Sequence, residues 1–345
     1  MPLYVKIGAS VAVALVLSFT STPFVKKLAY KIGAIDVPKD ERRMHKTPIP
    51  RLGGLAIFIG FVLSVLLFAE ITVQLRGILI GAIIIVITGA IDDVKPLKAY
   101  IKLSVQIVAA AVAIYHGIII EAFSNPIVFA SAEYLSLGFM SIPITIIWIV
   151  AITNAVNLID GLDGLAAGVS IISSVAMLII SLMVADPNDA VILAALAGAC
   201  IGFMPYNFNP AKIIMGDTGS LLLGYVLATV SILGLFKLYA VVSFAAPFLV
   251  LAFPLFDISF AFFRRILKGR SPMSPDRGHS HHRLIDMGLS QKQAVAILYT
   301  ISGILGLVAV VIATSDEVRA VIFIVALLIA AGVALFVFKG IRKKK

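Results

Sequence analysis

Acidic residues punctuate the ends of the apolar runs in this chain: Asp92 and Asp93, Asp160 and Asp163, Asp217, and Asp257 late in a run of its own. A carboxylate drawn into hydrocarbon costs about 2.5–3.5 kcal/mol on insertion scales, so acids at such depth line a protein interior or a wet cavity and are functional by default. Converging like charges raise one another's pKa values unless a cation neutralises them. Oxygen-only clusters suit Mg²⁺, with Mn²⁺ as the alternative, because the ion takes one or two carboxylates and keeps its other positions for water and phosphate. Asp92 and Asp93, in Gly89-Ala90-Ile91-Asp92-Asp93-Val94-Lys95, project about 100° apart on a helix. One can hold a metal while the other serves as base; an ordinary solvated helix end is the plainer reading.

Amides accompany the acids. Asn154, Asn157, Asp160 and Asp163 recur every three residues, a spacing that drifts by about 60° per step, so the first three share a broad helical face. Asp163, after Gly161, needs a bend. Two amides in an apolar span demand partners, which a substrate, water or a neighbouring helix can provide. Tyr206-Asn207-Phe208-Asn209-Pro210 precedes Gly216-Asp217-Thr218-Gly219-Ser220, where glycines let backbone amides approach an anion and Asp217 adds metal ligation or a helix cap. Opposite chemistry lies in Ser274-Pro275-Asp276-Arg277-Gly278-His279-Ser280-His281-His282-Arg283. Its histidines and arginines can hold a diphosphate or carry protons near neutral pH, while a basic membrane-surface patch is the alternative. Zinc fits this loop poorly. Lys46, in a proline-stiffened run from His45 to Gly54, is placed to meet a phosphate or to anchor the chain.

Composition says which elements must bring these residues together. Of 345 residues, 61% are hydrophobic and 13% charged, against roughly 45–50% and about 25% in soluble chains. This excludes a soluble enzyme. A net charge of +10 then points to membrane lipids or a phosphorylated substrate rather than to nucleic acid. Cys200 stands alone and forms no intrachain disulfide. The hydropathy pattern predicts an all-α integral membrane protein of about eleven transmembrane helices, over 3–22, 53–69, 77–91, 101–120, 141–157, 165–184, 190–206, 219–235, 239–262, 294–313 and 318–338. Residues 1–345 form a single polytopic domain with two long cytoplasmic segments, a basic loop at 23–52 and a His/Arg loop at 263–293. On that reading every Lys and Arg except Lys6, Arg76, Lys237 and Arg319 falls on one side, which sets the N-terminus outside and the C-terminus in the cytoplasm. The acids then share the cytoplasmic face. A cation-coupled transporter, the rival class, predicts acids near the midplane on broken helices and internal repeats, and neither pattern is present.

In order and spacing, Asp92-Asp93, Asn154 to Gly164, Gly216 to Ser220 and His279 to His282 resemble the polyprenyl-phosphate N-acetylhexosamine-1-phosphate transferases, over about residues 20 to 293. The resemblance implies an eleven-helix enzyme of the cytoplasmic membrane that needs Mg²⁺. It would move a sugar 1-phosphate from a UDP-sugar to undecaprenyl phosphate and release UMP, with its active site at the cytoplasmic face. Ser280 interrupts the histidine run, which looks like the branch using UDP-N-acetylglucosamine to start teichoic acid, O-antigen or related polymers. The branch that transfers phospho-N-acetylmuramoyl-pentapeptide for peptidoglycan is the alternative. On this likeness the catalytic set is Asp92, Asp93, Asp160 and Asp163. Asp217 with Asp93 or Asp160 would hold the metal, and Asp92 would deprotonate or orient the lipid phosphate. Lys46, Arg277, His279, His281 and His282 would hold phosphates, while Asn154, Asn157, Asn207 and Asp163 would face the nucleotide or sugar. Direct attack on the β-phosphorus is expected rather than a covalent aspartyl phosphate. The resemblance leaves room for a homodimer.

Overall fold

The computed structural model describes residues 1–37, 47–124, 134–184, 186–234, 245–267 and 280–314. Long apolar runs leave the backbone one way to satisfy itself in hydrocarbon, the intrahelical hydrogen bond, and helices dominate. In chain order they are α1 (Leu3–Ile32), β1 (Ile35–Asp36), β2 (Ile49–Pro50), α2 (Gly54–Phe68), α3 (Val73–Val94), α4 (Ala99–Tyr115), β3 (Ala122–Ser124), β4 (Tyr134–Ser136), a 3₁₀ turn (Gly138–Met140), α5 (Ser141–Ile159), α6 (Leu165–Val184), α7 (Pro187–Asn207), α8 (Gly216–Gly234), α9 (Ala245–Val250), α10 (Ala252–Leu267), α11 (Ser280–Asp286) and α12 (Gln291–Thr314). Seven of them, α1, α3, α5, α6, α7, α8 and α12, are long and apolar enough to cross a membrane. The shorter α2 and α4 are also apolar. Each strand pair is a two-stranded antiparallel ribbon.

Boundaries depart from the hydropathy pattern in three places, of which the early end of α4 at Tyr115 is the smallest. Helix α1 runs past residue 22, through Pro23, to Ile32. Good helix formers follow the proline, and Val25 and Ala29 are buried in the core, so packing offsets the proline's cost. Gly33, at φ 77°, then ends the helix with its N–H on Ala29 O. The expected span 239–262 is represented by two helices, α9 and α10, that break at Leu251. The expected span 318–338 lies outside the described residues.

Helix α8 is the hub. It packs on α3, α5, α2, α6 and α7, and nearly all of its residues are buried. Without a hydrophobic drive between helices in lipid, close approach of small residues supplies the packing energy. A Cβ on Gly54 would fall on the Gly219 backbone, and one on Gly89 would lie 2.6 Å from the Thr218 Cα. The two glycines bring α2 and the end of α3 against the start of α8. Interior polar groups are tied between helices, as where Trp148 Nε1 donates to Ser231 Oγ at 3.0 Å.

Candidate active site

The start of α8 is framed by backbone. Gly53 N–H donates to Ile214 O at 3.0 Å, Gly54 N–H to Met215 O at 2.9 Å, and Ile214 N–H to Pro50 O at 3.0 Å. On its other edge this segment pairs as β2 with β1, and Arg51 N–H donates to Ala34 O at 2.9 Å. Arg51 is therefore fixed by its own backbone beside the first turn of α8.

Asp93, from the last turn of α3, points into that turn with its side chain fully buried. Its Oδ1 accepts from Asp217 N–H at 2.9 Å and from Arg51 Nε at 3.0 Å. Its Oδ2 accepts from Thr218 N–H at 3.0 Å and Thr218 Oγ1 at 2.6 Å. Four bonds fill the acceptor capacity of a carboxylate, and an anion at a helix N-terminus answers both the orphan N–H groups and the dipole. Gly216 makes this possible: it sits at φ 68°, and a Cβ there would strike the Asp93 carboxylate.

Asp217 meets two cations. Lys102 Nζ, from α4, is 2.8 Å from its Oδ2, and the Arg51 guanidinium is 3.4 Å from its Oδ1. Lys102 also reaches Asp92 Oδ1 at 3.5 Å, and that oxygen accepts from Leu97 N–H at 2.8 Å. The ligating atoms of Asp92, Asp93 and Asp217 all lie within 4.8 Å of one another. An oxygen-only group at this spacing fits a hard divalent cation. Burial opposes the Arg51 charge, but the nearby Asp93 and Asp217 carboxylates outweigh it and raise its pKa above the ordinary value.

Residues 75–235 match the family model described as glycosyl transferase family 4. The chain is 41% identical over 329 residues to a Bacillus subtilis protein named probable undecaprenyl-phosphate N-acetylglucosaminyl 1-phosphate transferase, covering 94% of this chain and 90% of that one. The chain belongs to glycosyl transferase family 4. It is also 37% identical to a Mycobacterium tuberculosis decaprenyl-phosphate N-acetylglucosaminephosphotransferase, over 84% of this chain and 78% of that one. An Escherichia coli O157:H7 undecaprenyl-phosphate alpha-N-acetylglucosaminyl 1-phosphate transferase is 28% identical, over 89% and 84%. The protein is accordingly an enzyme of the membrane.

The start of α8 gathers some of the expected residues and leaves others apart. Asp160 follows α5, is partly buried and stands outside the three-acid group. Burial, then the charges of Asp217 and Asp93, push its carboxyl up to about 8. Asn157 Nδ2 donates to Ser220 Oγ at 2.8 Å, and Ser220 donates on to Gly216 O at 3.0 Å, so Asn157 braces the first turn of α8. Asn154 is paired with Gln106 of α4, its Nδ2 donating to Gln106 Oε1 at 2.5 Å and to Val150 O at 2.8 Å. A neighbouring helix thus partners the Asn154 amide. Asn207 spans two loops, accepting from Gly164 N–H at 3.1 Å and donating to Ile213 O at 3.1 Å. Asp163 Oδ2 accepts from Asn209 Nδ2 at 2.9 Å and Ala211 N–H at 3.0 Å. Asp163 also borders a cavity of about 370 Å³ lined by Phe208, Asn209, Gln291, Lys292 and Tyr299.

Lys46, Arg277 and His279 lie outside the described residues, and for His281 and His282 only the backbone of α11 is described. Two residues at the centre, Arg51 and Lys102, were read from sequence only as positive-inside anchors. Lys102 carried a usable signal: a lysine flanked by Ile101 and Leu103 in an apolar run is functional by default. Nothing in the sequence ties Arg51 to Asp93, because a β-bridge to Ile214 makes that connection.

Proposed function

We propose that this enzyme transfers N-acetylglucosamine 1-phosphate from UDP-N-acetylglucosamine to undecaprenyl phosphate, releasing UMP, as the first membrane step of an envelope polysaccharide or teichoic acid pathway. The observation that carries the reading is the group of Asp92, Asp93 and Asp217, laced by Arg51 and Lys102, at the ends of membrane helices. Relatives named for this transfer support it. The reaction joins two polyanions. A lipid phosphate oxygen attacks the β-phosphorus, the bond from that phosphorus to the α-phosphate oxygen breaks, and UMP leaves with the electron pair. Catalysis of such a transfer is mostly positioning and electrostatics.

Asp217 and Asp92 would hold the divalent cation, Mg²⁺, since Asp93 already spends both oxygens on α8 and Arg51. The bound cation supplies charge neutralisation to the diphosphate. Asp93 keeps the start of α8 and Arg51 in register, and Asp92, held by Leu97 N–H, also faces the lipid phosphate. The cavity beside Asp163 and Lys292 would receive the nucleotide. About eleven spans, with the N-terminus outside and the C-terminus inside, put this chemistry at the cytoplasmic face of the inner membrane. The test is UMP release by the purified protein given undecaprenyl phosphate, UDP-N-acetylglucosamine and Mg²⁺. Release is expected with this sugar nucleotide and not with the muramoyl-pentapeptide nucleotide, and is abolished by EDTA. Release that persists in EDTA would remove the metal, and release only from the muramoyl nucleotide would reassign the branch.

A further inference from the structure

We propose that Lys102 is an exchangeable stand-in for the divalent cation: it holds the place between Asp92 and Asp217 that the cation takes, and the cation frees its ammonium to grip a substrate phosphate. This rests on the metal reading above.

The geometry is specific. Lys102 Nζ lies 2.8 Å from Asp217 Oδ2 and 3.5 Å from Asp92 Oδ1, two of the three acids whose ligating atoms are mutually within 4.8 Å. An ammonium is a compact point charge, so it fills a cation's position between oxygens as a guanidinium cannot. A divalent ion and an ammonium cannot share those oxygens, because their repulsion in a partly buried site is strong.

Of the two basic residues among the described ones that reach these acids, Lys102 is the one whose side chain is free to leave. Arg51 is pinned by its backbone bonds to Ala34 and its bridge to Ile214, and by Asp93. Asp92 is pinned by Leu97 N–H. The Lys102 backbone belongs to α4, but its ammonium sits at the end of a flexible four-carbon stem and the side chain retains 25% exposure. In a helix such a chain leans toward the N-terminus, here toward the exposed residues Lys98 and Lys95 that precede and open α4.

Charge favours the exchange. Three carboxylates against Arg51 and Lys102 leave one net negative charge. Replacing the ammonium by a dication brings the acids and Arg51 to neutrality and leaves a free ammonium beside the opening. That ammonium suits a phosphate oxyanion, from either the lipid or the nucleotide.

The experiment is Mn²⁺ titration of the full-length protein in nanodiscs, followed by electron paramagnetic resonance without UDP-sugar. Lys102→Met is expected to bind Mn²⁺ about tenfold or more tightly than the wild type, whereas Lys95→Met, which removes a nearby charge outside the cluster, changes affinity less than about threefold. A phosphate ligand tightens Mn²⁺ binding at least about threefold more in the wild type than in Lys102→Met; a short-chain polyprenyl phosphate and UMP, used in separate arms, tell which phosphate the ammonium takes. Equal or weaker Mn²⁺ binding by Lys102→Met, an equal effect of Lys95→Met, or no gain from either phosphate overturns the exchange. Acetylation of Lys102 in the wild type, read by mass spectrometry, should rise with Mn²⁺ and requires no variant to fold; unchanged labelling also overturns it. Because no transfer is measured, UMP release in the separate assay can stand while the exchange fails.

Discussion

Asp93 and Asp163 are both buried aspartates at the same end of the helix bundle, and each accepts backbone N–H groups from the stretch between α7 and the first turn of α8. Their company differs. Asp93 joins a set in which Arg51 and Lys102 bridge three carboxylates. Asp163 Oδ2 is held by neutral donors, Asn209 Nδ2 and Ala211 N–H. A carboxylate gripped by amides fixes a loop. Carboxylates that share a cation on a flexible stem, as Asp92 and Asp217 share Lys102, can release it. The comparison sets carboxylates bridged by cations beside a carboxylate that ties a loop next to a cavity.

The sharpest way to break that division is at its charged pole. Asp217→Asn removes the carboxylate that both Arg51 and Lys102 approach, and UMP release should fall about 10³-fold, the scale of losing a preorganised charge in a transfer site. Activity within tenfold of the wild type would dissolve the distinction. The next effect comes through the backbone. Gly216→Ala places a methyl on the Asp93 carboxylate at a residue whose φ is 68°, so the α8 turn must shift. A displacement of about 1 Å costs roughly 10²-fold in rate, with about 1–3 kcal/mol of stability lost to overpacking. Rate and melting temperature should both drop, and a variant that melts like the wild type with full activity would show that the turn yields freely.

On the Asp163 side, Asp163→Asn keeps the shape and removes the charge that Asn209 and Ala211 bond. Its loss should be smaller than that of Asp217→Asn and fall on binding. KM for the UDP-sugar rises about tenfold while kcat moves less, the signature of weakened ground-state contacts. Steady-state kinetics that put the whole loss in kcat would move Asp163 to the reacting atoms.

How much of this was legible beforehand depends on the range of the forces. The membrane class and most helices follow from local apolar runs, and Asp92, Asp93 and Asp217 announced themselves as acids where such runs end. The breaks at Gly33 and Leu251 escaped the hydropathy pattern because core packing and backbone conformation decide them. The roles within the site escaped for a different reason. Asn154 and Gln106, 48 positions apart, satisfy each other, and no spacing rule pairs an amide with a partner on another helix. Likewise Asp93 is known as the cap of α8 only once Gly89 has brought α3 against Thr218.

The smallest expected effect probes whether α12 is part of the Asp163 region. Tyr299 Oη donates to Gly164 O at 2.6 Å, and Gln291 at the start of α12 accepts from Asn209 Nδ2 at 2.7 Å, the same amide that bonds Asp163. Helix α12 is thus tied to the loop after α5 directly and through Asn209. Tyr299→Phe removes one neutral hydrogen bond and leaves the ring packed against Gly168, a change of about 1 kcal/mol. The second tie remains, so the loop should hold: kcat is unchanged, KM for the UDP-sugar rises about two- to threefold, and the melting temperature falls by about 2–4 °C. If α12 instead belonged to the charged pole, the same deletion would lower kcat and leave KM alone, and the boundary between the two regions would have to be redrawn through α12.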